Sequence, residues 1–259
     1  MCNITEIREN GQLYARYAYD NLNRLIREDN KKLDKTVLWT YDNNGNILSK
    51  SEYAFTLKDK KSLDEMTATV TNYSYDGDKL LYYGNSMVSY NQNRPAFIRG
   101  MIYQWSENKV TGINGNTFAY DGFGRRTSKN LINYTYDSEG RVVRQSNGLD
   151  FIYDHTGVAA VKYADATYIY RKDAQGNIIA MLDTAGKIVV KYVYDAWGNH
   201  KVYNAGGTEI NDATHIGYLN PFRYRGYYYD VETGLYYLKT RYFLYWKFIV
   251  MYLRSYKYE

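Results

Sequence analysis

The side chains in this sequence best suited to acid–base or metal chemistry are few and widely separated. The three histidines are His155, His200 and His215, and no two of them have the His-x-x-x-His spacing that can place two ligands on one metal ion. Each lies beside residues typical of turns, so we expect surface or turn histidines rather than catalytic or metal-binding ones. The single cysteine, Cys2, excludes both a disulfide framework and a thiolate metal site.

Many of the aspartates, in contrast, belong to a recurring unit. It reads Tyr-x-Tyr-Asp-x-x-Gly, followed by Asn or Arg and an apolar residue, and it is clearest from Tyr134 to Val142. One carboxylate per unit cannot supply the six to eight oxygen ligands of a calcium ion, so we interpret these aspartates as turn caps. The Asp and Gly positions of the four clearest turns are Asp42 and Gly45, Asp121 and Gly124, Asp137 and Gly140, and Asp195 and Gly198.

The unit has the composition of a β-hairpin. Two tyrosines separated by one residue lie on the same face of a strand, because strand side chains alternate with a period of two. The aspartate can accept hydrogen bonds from backbone N–H groups ahead of it, and the glycine tolerates the positive φ that closes the turn. A single hairpin is only marginally stable in water, but a row of them buries a continuous aromatic layer. We therefore expect burial of the rings to drive folding.

Composition supports the same fold class. Tyrosine supplies 33 of the 259 residues, and such aromatic side chains favour strands. This content excludes a leucine-rich helical bundle and ordinary disorder. The sequence predicts an all-β protein whose antiparallel hairpin repeats form a curved or spiral sheet, a partial β-shell with little helix. Residues 1–219 form the repeat array, with weaker copies at 51–117.

Charge and hydropathy exclude further classes. A net charge of +5 is dilute, and the tightest basic groups are Lys58, Lys60 and Lys61, and the pair Arg125 and Arg126, so we expect no nucleic-acid partner. The polar start of the chain does not have the pattern of a signal peptide. The most apolar stretch, residues 243–253, is too short to span a bilayer and contains a lysine.

The repeats resemble the YD repeats of Rhs proteins, a family that includes bacterial polymorphic toxins and cell-surface proteins. The most specific resemblance is to the Rhs-associated core and covers residues 220–242, here called the core segment. A divergent tail, residues 243–259, follows it. The positions that carry this resemblance are Asn220, Pro221, Phe222, Arg223, Arg225, Gly226, Asp230, Gly234 and Arg241.

The resemblance implies a function. In the family, the repeats spiral into a hollow shell around a C-terminal toxin, and the core closes the shell and carries an aspartyl self-cleavage activity. Asp230 aligns with one aspartate of that pair, but Leu244 stands where the second is expected. Because aspartyl chemistry needs two carboxylates, Asp230 would be a remnant of the pair. We therefore expect a structural fragment that is not an enzyme and has no cofactor or metal.

The same resemblance sets the expected context. The partners of this chain would be the remaining parts of the parental shell and the C-terminal toxin. The parent would be a secreted or cell-surface protein that serves interbacterial competition. An alternative is a secreted or surface sheet whose exposed tyrosines bind glycans, since aromatic rings can stack on sugars. A nuclease is a third, weaker alternative, because the chain contains neither a His-Asn-His group nor a cluster of acidic metal ligands.

Overall fold

The computed structural model describes residues 3–57, 62–238, 241–244 and 249–252. Cys2, the lysines at positions 58, 60 and 61, and most of the tail lie outside the described residues. The chain divides into two compact units, Met1–Ile102 and Tyr103–Glu259. Each is built almost wholly of antiparallel strands that pair in chain order, so the all-β fold of hairpins is confirmed. Among the described residues, no helix is long and apolar enough to cross a membrane.

The first unit contains an eight-stranded sheet in which each strand pairs with the one before and after it. Buried apolar side chains such as Val37, Trp39 and Leu80 line one face of this sheet. A short 3-10 turn at Leu63–Glu65 interrupts the strand pattern. The strands of the sheet are β1 (Glu6–Glu9), β2 (Gln12–Tyr19), β3 (Leu25–Asn30), β4 (Lys35–Tyr41), β5 (Ile47–Ala54), β6 (Thr69–Asp76), β7 (Lys79–Tyr83) and β8 (Ser86–Met87). They are followed by β9 (Ser89–Asn91), β10 (Arg94–Ile98) and β11 (Met101–Ser106), which runs across the boundary of the unit.

The second unit continues the hairpin pattern. Its strands are β12 (Lys109–Ile113), β13 (Asn116–Tyr120), β14 (Arg126–Lys129), β15 (Ile132–Tyr136), β16 (Val142–Gln145), β17 (Asp150–Asp154), β18 (Gly157–Tyr163), β19 (Ala166–Lys172), β20 (Ile178–Leu182), β21 (Ile188–Tyr194) and β22 (His200–Asn204). After β22 come one helical turn, α1 (Ile216–Leu219), and a 3-10 turn at Tyr224–Gly226. A small sheet of β23 (Tyr228–Asp230), β24 (Leu235–Tyr237), β25 (Arg241–Leu244) and β26 (Ile249–Tyr252) ends the described chain.

The two aromatic positions of each repeat make different contacts. The ring three residues before the aspartate is buried, as in Phe118, Tyr134 and Tyr192. The hydroxyl of the ring directly before the aspartate donates to a backbone carbonyl of the neighbouring hairpin. These bonds join Tyr41 to Leu25 (2.6 Å), Tyr120 to Val110 (2.8 Å), Tyr136 to Arg126 (2.6 Å), Tyr153 to Val142 (2.9 Å) and Tyr194 to Ile178 (2.7 Å). The aromatic layer thus also links successive hairpins through hydrogen bonds.

Replacing Tyr136 with phenylalanine tests these links. The hydroxyl is buried enough to raise the pKa of Tyr136 to about 12, so its bond to the Arg126 carbonyl is sheltered from water. We expect Tyr136→Phe to lower the free energy of unfolding of the second unit by about 1 kcal/mol, measured by urea denaturation. The matched control is Tyr168→Phe. Tyr168 is partly buried in β19, and no hydrogen bond of its hydroxyl is found among the described residues. Equal losses in both variants would contradict the proposed link.

Candidate functional site: the core segment on the repeat sheet

The predicted turn residues form one repeated hydrogen-bond arrangement. In the turn of Asp137, Oδ1 accepts from the backbone N–H of Glu139 (3.0 Å) and of Arg141 (2.9 Å), and Oδ2 accepts from Nε of Arg141 (2.7 Å). Gly140 has a φ of 72° and donates its N–H to the Asp137 carbonyl. The hydrogen bond from the Arg141 backbone is the largest influence that lowers the pKa of Asp137. Asp42, Asp121 and Asp195 accept from their own turns in the same way, and Gly45, Gly124 and Gly198 have positive φ.

The core segment lies against one face of the second unit's sheet. Its side chains contact strands that are far apart in the chain, from β14 at Arg126 to β22 at His200. Phe222 packs edge-to-face on Phe151 of β17, with ring centroids 4.8 Å apart. The core segment therefore ties together hairpins that otherwise pair only with their neighbours.

Asn220 is a fully buried hydrogen-bonding centre at the start of the core segment. Its Oδ1 accepts from the hydroxyl of Tyr170 (2.7 Å), and its Nδ2 donates to the hydroxyl of Tyr192 (3.1 Å) and the carbonyl of Phe222 (2.8 Å). The side-chain amide of Asn220 thus forms hydrogen bonds with tyrosine hydroxyls from both β19 and β21. It also fixes the turn that follows, since its own backbone carbonyl accepts from Nε of Arg223 (3.1 Å).

Arg223 is buried beside a histidine. One of its terminal nitrogens, NH1, bonds Nε2 of His200, and the other, NH2, donates to the carbonyl of Tyr218 (2.8 Å). The guanidinium also lies over the ring of Tyr229, 4.5 Å from its centroid. Burial and the charge of Arg223 lower the pKa of His200 well below its ordinary value. His200 therefore differs from the exposed position that its sequence context suggested.

A second buried charge cluster holds the only aspartate of the core segment. Arg126 donates to both carboxylate oxygens of Asp230, NH1 to Oδ2 at 2.5 Å and NH2 to Oδ1 at 2.9 Å. Nζ of Lys129 lies 3.3 Å from Oδ1 of Asp230 and donates to Glu232 at 2.7 Å. Asp230 is 0% exposed and Arg126 is 1% exposed, so this pair is screened from water.

Aromatic rings surround the Arg126 guanidinium. Its central carbon lies 4.1 Å from the ring centroid of Tyr237 and about 5 Å from those of Phe118, Tyr134 and Tyr228. Burial by itself would lower the pKa of Arg126, but the charge of Asp230 outweighs it and the pKa lies well above its ordinary value. The same balance, with Glu232 and Tyr134 contributing, raises the pKa of Lys129. Both cations thus remain charged at the base of the core segment.

The other predicted residues of the core segment shape its backbone. Arg225 adopts a left-handed conformation (φ 52°), and its N–H donates to Oδ1 of Asn177 in a repeat turn (2.8 Å). Pro221 accepts from the N–H of Tyr229 (2.7 Å). Gly226 and Gly234 both have positive φ, and the N–H of Gly234 donates to the carbonyl of Asp230. Arg241 begins β25, and Leu244 ends it, opposite Ile249.

Arg126 and His200 are two site residues whose roles sequence reasoning did not assign, although a signal for both exists. Each occupies the apolar position two residues after a turn glycine, where other repeats have Val142 or Ile178. A charged or polar side chain at a position that normally points into the core requires a buried partner. The core segment supplies it, as Asp230 for Arg126 and as Arg223 for His200. No group of three or more His, Cys, Asp or Glu side chains that could hold a metal ion occurs in the described part of the chain.

Comparison with known proteins places this arrangement in context. No family model matches the chain. It is 32% identical over 248 residues to the tRNA3(Ser)-specific nuclease WapA of Bacillus spizizenii and 32% identical over 247 residues to the tRNA nuclease WapA of Bacillus subtilis strain 168. Each match covers 87% of this chain and 10% of the relative. A double-stranded DNA deaminase toxin A of Burkholderia cenocepacia matches 91% of the chain, at 24% identity, over 20% of its own length. The chain thus spans about a tenth of the length of the WapA proteins it resembles.

Solved structures show the same architecture. The structure of TcdB2-TccC3 without its hypervariable C-terminal region matches 96% of this chain with a TM-score of 0.63 and 16% identity, over 15% of its own length. The Photorhabdus luminescens Tc holotoxin pore matches 95% of the chain with a TM-score of 0.61 and 16% identity, over 14% of its length. The fold is Rhs-like. The similarity to Rhs proteins stated from the repeats therefore holds at the level of fold.

One expectation from the sequence is wrong. We expected a protein that is not an enzyme, but relatives at 32% identity over most of the chain are named tRNA-specific nucleases, which points to an enzymatic activity. The expectation rested on a search for nuclease motifs and for a second aspartate within 259 residues. Those 259 residues match only about a tenth of the length of the WapA relatives, so motifs elsewhere in a protein of that length lay outside the residues on which the expectation rested.

Proposed function

We propose that this chain is part of an Rhs-type toxin that cleaves tRNA. Its repeats would form part of the wall of the shell around the toxin, and the core segment would close that wall. The observation that carries the proposal is that relatives named for different chemistries match nearly all of the same chain. WapA proteins are named tRNA nucleases, and the Burkholderia protein is named a double-stranded DNA deaminase toxin. A stretch common to both is best explained as the part that houses and presents a toxin. The higher identity to the WapA proteins favours tRNA as the substrate of the whole protein.

The geometry of the second unit supports a housing role. The buried pairs Arg126–Asp230 and Arg223–His200 lock the core segment onto the sheet, and Asn220 completes the polar contacts. One structural match is to TcdB2-TccC3 without its hypervariable C-terminal region, so the resemblance to that structure does not involve that region. The proposed partners are the remaining wall of the parent protein and its toxin region, in a secreted or cell-surface protein.

A chimera tests the proposal. This chain replaces the matched stretch in the tRNA nuclease WapA of Bacillus subtilis, and cleavage of purified tRNA is followed on denaturing gels. We expect the chimera to be as resistant to protease as its parent and to cleave tRNA at a comparable rate, since the repeats and core segment should close the same wall.

The matched control is the same chimera with Arg126→Met, which removes the partner of the buried Asp230. It should become sensitive to protease in residues 220–242. A chimera that accumulates in folded form but never cleaves tRNA would contradict the tRNA assignment. A protease-sensitive chimera without the substitution would contradict the wall assignment.

A further inference from the structure

The contact between Arg223 and His200 fixes the protonation state of the imidazole. A guanidinium can only donate hydrogen bonds, so NH1 of Arg223 donates and Nε2 of His200 must carry a lone pair. The ring proton then lies on Nδ1, which is 3.2 Å from the carbonyl of Gly198 and 3.2 Å from the hydroxyl of Tyr236. The core segment is thus held at β22 by a neutral histidine.

Among the described residues, no carboxylate faces the His200 ring to balance the positive charge of an imidazolium. The groups that face the ring are the Arg223 guanidinium and the rings of Tyr194, Tyr229 and Tyr236, which come from the core segment and from strands β21, β23 and β24. The carboxylate of Asp195, in the turn that leads into β22, accepts hydrogen bonds from the N–H groups of Trp197 and Asn199. A proton added at Nε2 of His200 would therefore point at an N–H donor of Arg223 and at the positive charge of its guanidinium.

Arg223 is not free to turn away. Its Nε and NH2 donate to carbonyls of Asn220 and Tyr218, in the chain that leads into its own turn. Its side-chain bond to the sheet in the described structure is the one from NH1 to His200, while its backbone carbonyl accepts from the N–H of Ile178 in β20 (3.1 Å). Protonation of His200 removes the bond of Arg223 to β22 and leaves two cations in contact.

We propose that His200 and Arg223 form an acid-operated latch: the neutral imidazole holds the core segment on β22, and protonation of His200 releases it. This inference rests on the contacts of the second unit and does not depend on the proposed tRNA cleavage. The ligand is the proton, and the responding element is the turn that carries Arg223.

The direction of the pH effect follows from the two states of the histidine. When the segment is released, His200 titrates near its ordinary pKa of about 6.5, whereas burial and the Arg223 charge lower its pKa while the segment is docked. Between those two values only the released state takes up a proton. Docking is therefore fully stabilised above about pH 6.5 and weakens as the pH falls, by up to tenfold per pH unit. Between pH 7 and pH 5 the equilibrium should shift by about 25-fold toward release.

Hydrogen–deuterium exchange on the whole chain measures this shift, with rates corrected for the intrinsic effect of pH. The peptides covering residues 220–238 should lose protection at pH 5, while those of β17 and β18 should not. His200→Gln retains an acceptor for Arg223 but cannot take up a proton, so protection in this variant should not depend on pH in this range. His155→Gln, at an exposed turn, should behave like the unsubstituted chain.

Unchanged protection of residues 220–238 at pH 5 in the unsubstituted chain would overturn the latch, and so would an equal loss in His200→Gln. If His200→Gln does not fold, the imidazole of the unsubstituted chain can be titrated by NMR. Release that follows protonation of His200 would support the proposal. Protonation of His200 with the core segment still protected would overturn it.

Discussion

Replacing Arg126 with methionine should lower the free energy of unfolding of the second unit by about 3–5 kcal/mol. Methionine fills most of the space within the aromatic rings, but it leaves the carboxylate of Asp230 buried without its bidentate partner. Lys129 compensates only in part, because its Nζ is 3.3 Å from one oxygen of Asp230 and is also bound to Glu232. Urea denaturation followed by near-ultraviolet circular dichroism of the tyrosines measures the loss.

Arg125→Met is the control for this prediction. Arg125 is the neighbouring residue and also pairs with an aspartate, Asp121, but its side chain is 42% exposed. Water and salt screen such a pair, so the loss should be much smaller. The double variant Arg126→Met with Asp230→Asn removes both charges, and it should recover part of the stability lost by Arg126→Met. Strictly additive losses would show that the two side chains do not act as a pair.

Gly198→Ala should be the second strongly destabilising change, with a loss of about 2–5 kcal/mol. Gly198 has a φ of +90°, and an added Cβ would lie 2.7 Å from Cγ of Tyr224 in the core segment. Tyr224 is itself held in place, since its hydroxyl donates to the carbonyl of Ala196 (2.7 Å). The variant thus combines backbone strain with a collision between the turn and the core segment.

Gly140→Ala separates these two contributions. Gly140 occupies the same turn position with a φ of +72°, but no heavy atom lies within 4 Å of an added Cβ. This variant should lose only the backbone component, about 1–2 kcal/mol. Hydrogen exchange should also increase around Tyr224 in Gly198→Ala and not in Gly140→Ala. Equal losses in the two variants would mean that Tyr224 moves aside freely and that this contact does not hold the core segment.

The local structure of the repeats could be predicted from the sequence because its causes are local. The Tyr-x-Tyr spacing places Tyr134 and Tyr136 on one face of β15, and the turn of Asp137 closes through groups within four residues of it. These interactions need no knowledge of distant residues. The same reasoning predicted the antiparallel hairpins throughout the chain.

The buried pairs of the second unit could not be predicted in this way. Asp230 and Arg126 are 104 residues apart, and nothing in either local sequence names the other as its partner. The available signal was narrower: Arg126 and His200 stand at repeat positions that are otherwise apolar. That signal predicts that a partner exists, but only the path of the core segment across the sheet identifies it.

The order of contacts along the chain has a consequence for synthesis. Each hairpin pairs with the one made just before it, so the sheet can assemble step by step as the chain lengthens. The core segment, which contacts strands from β14 to β22, is synthesised after all of those strands. Until then Arg126 and His200 lack the partners that the core segment supplies, so the strands are joined only through their neighbours.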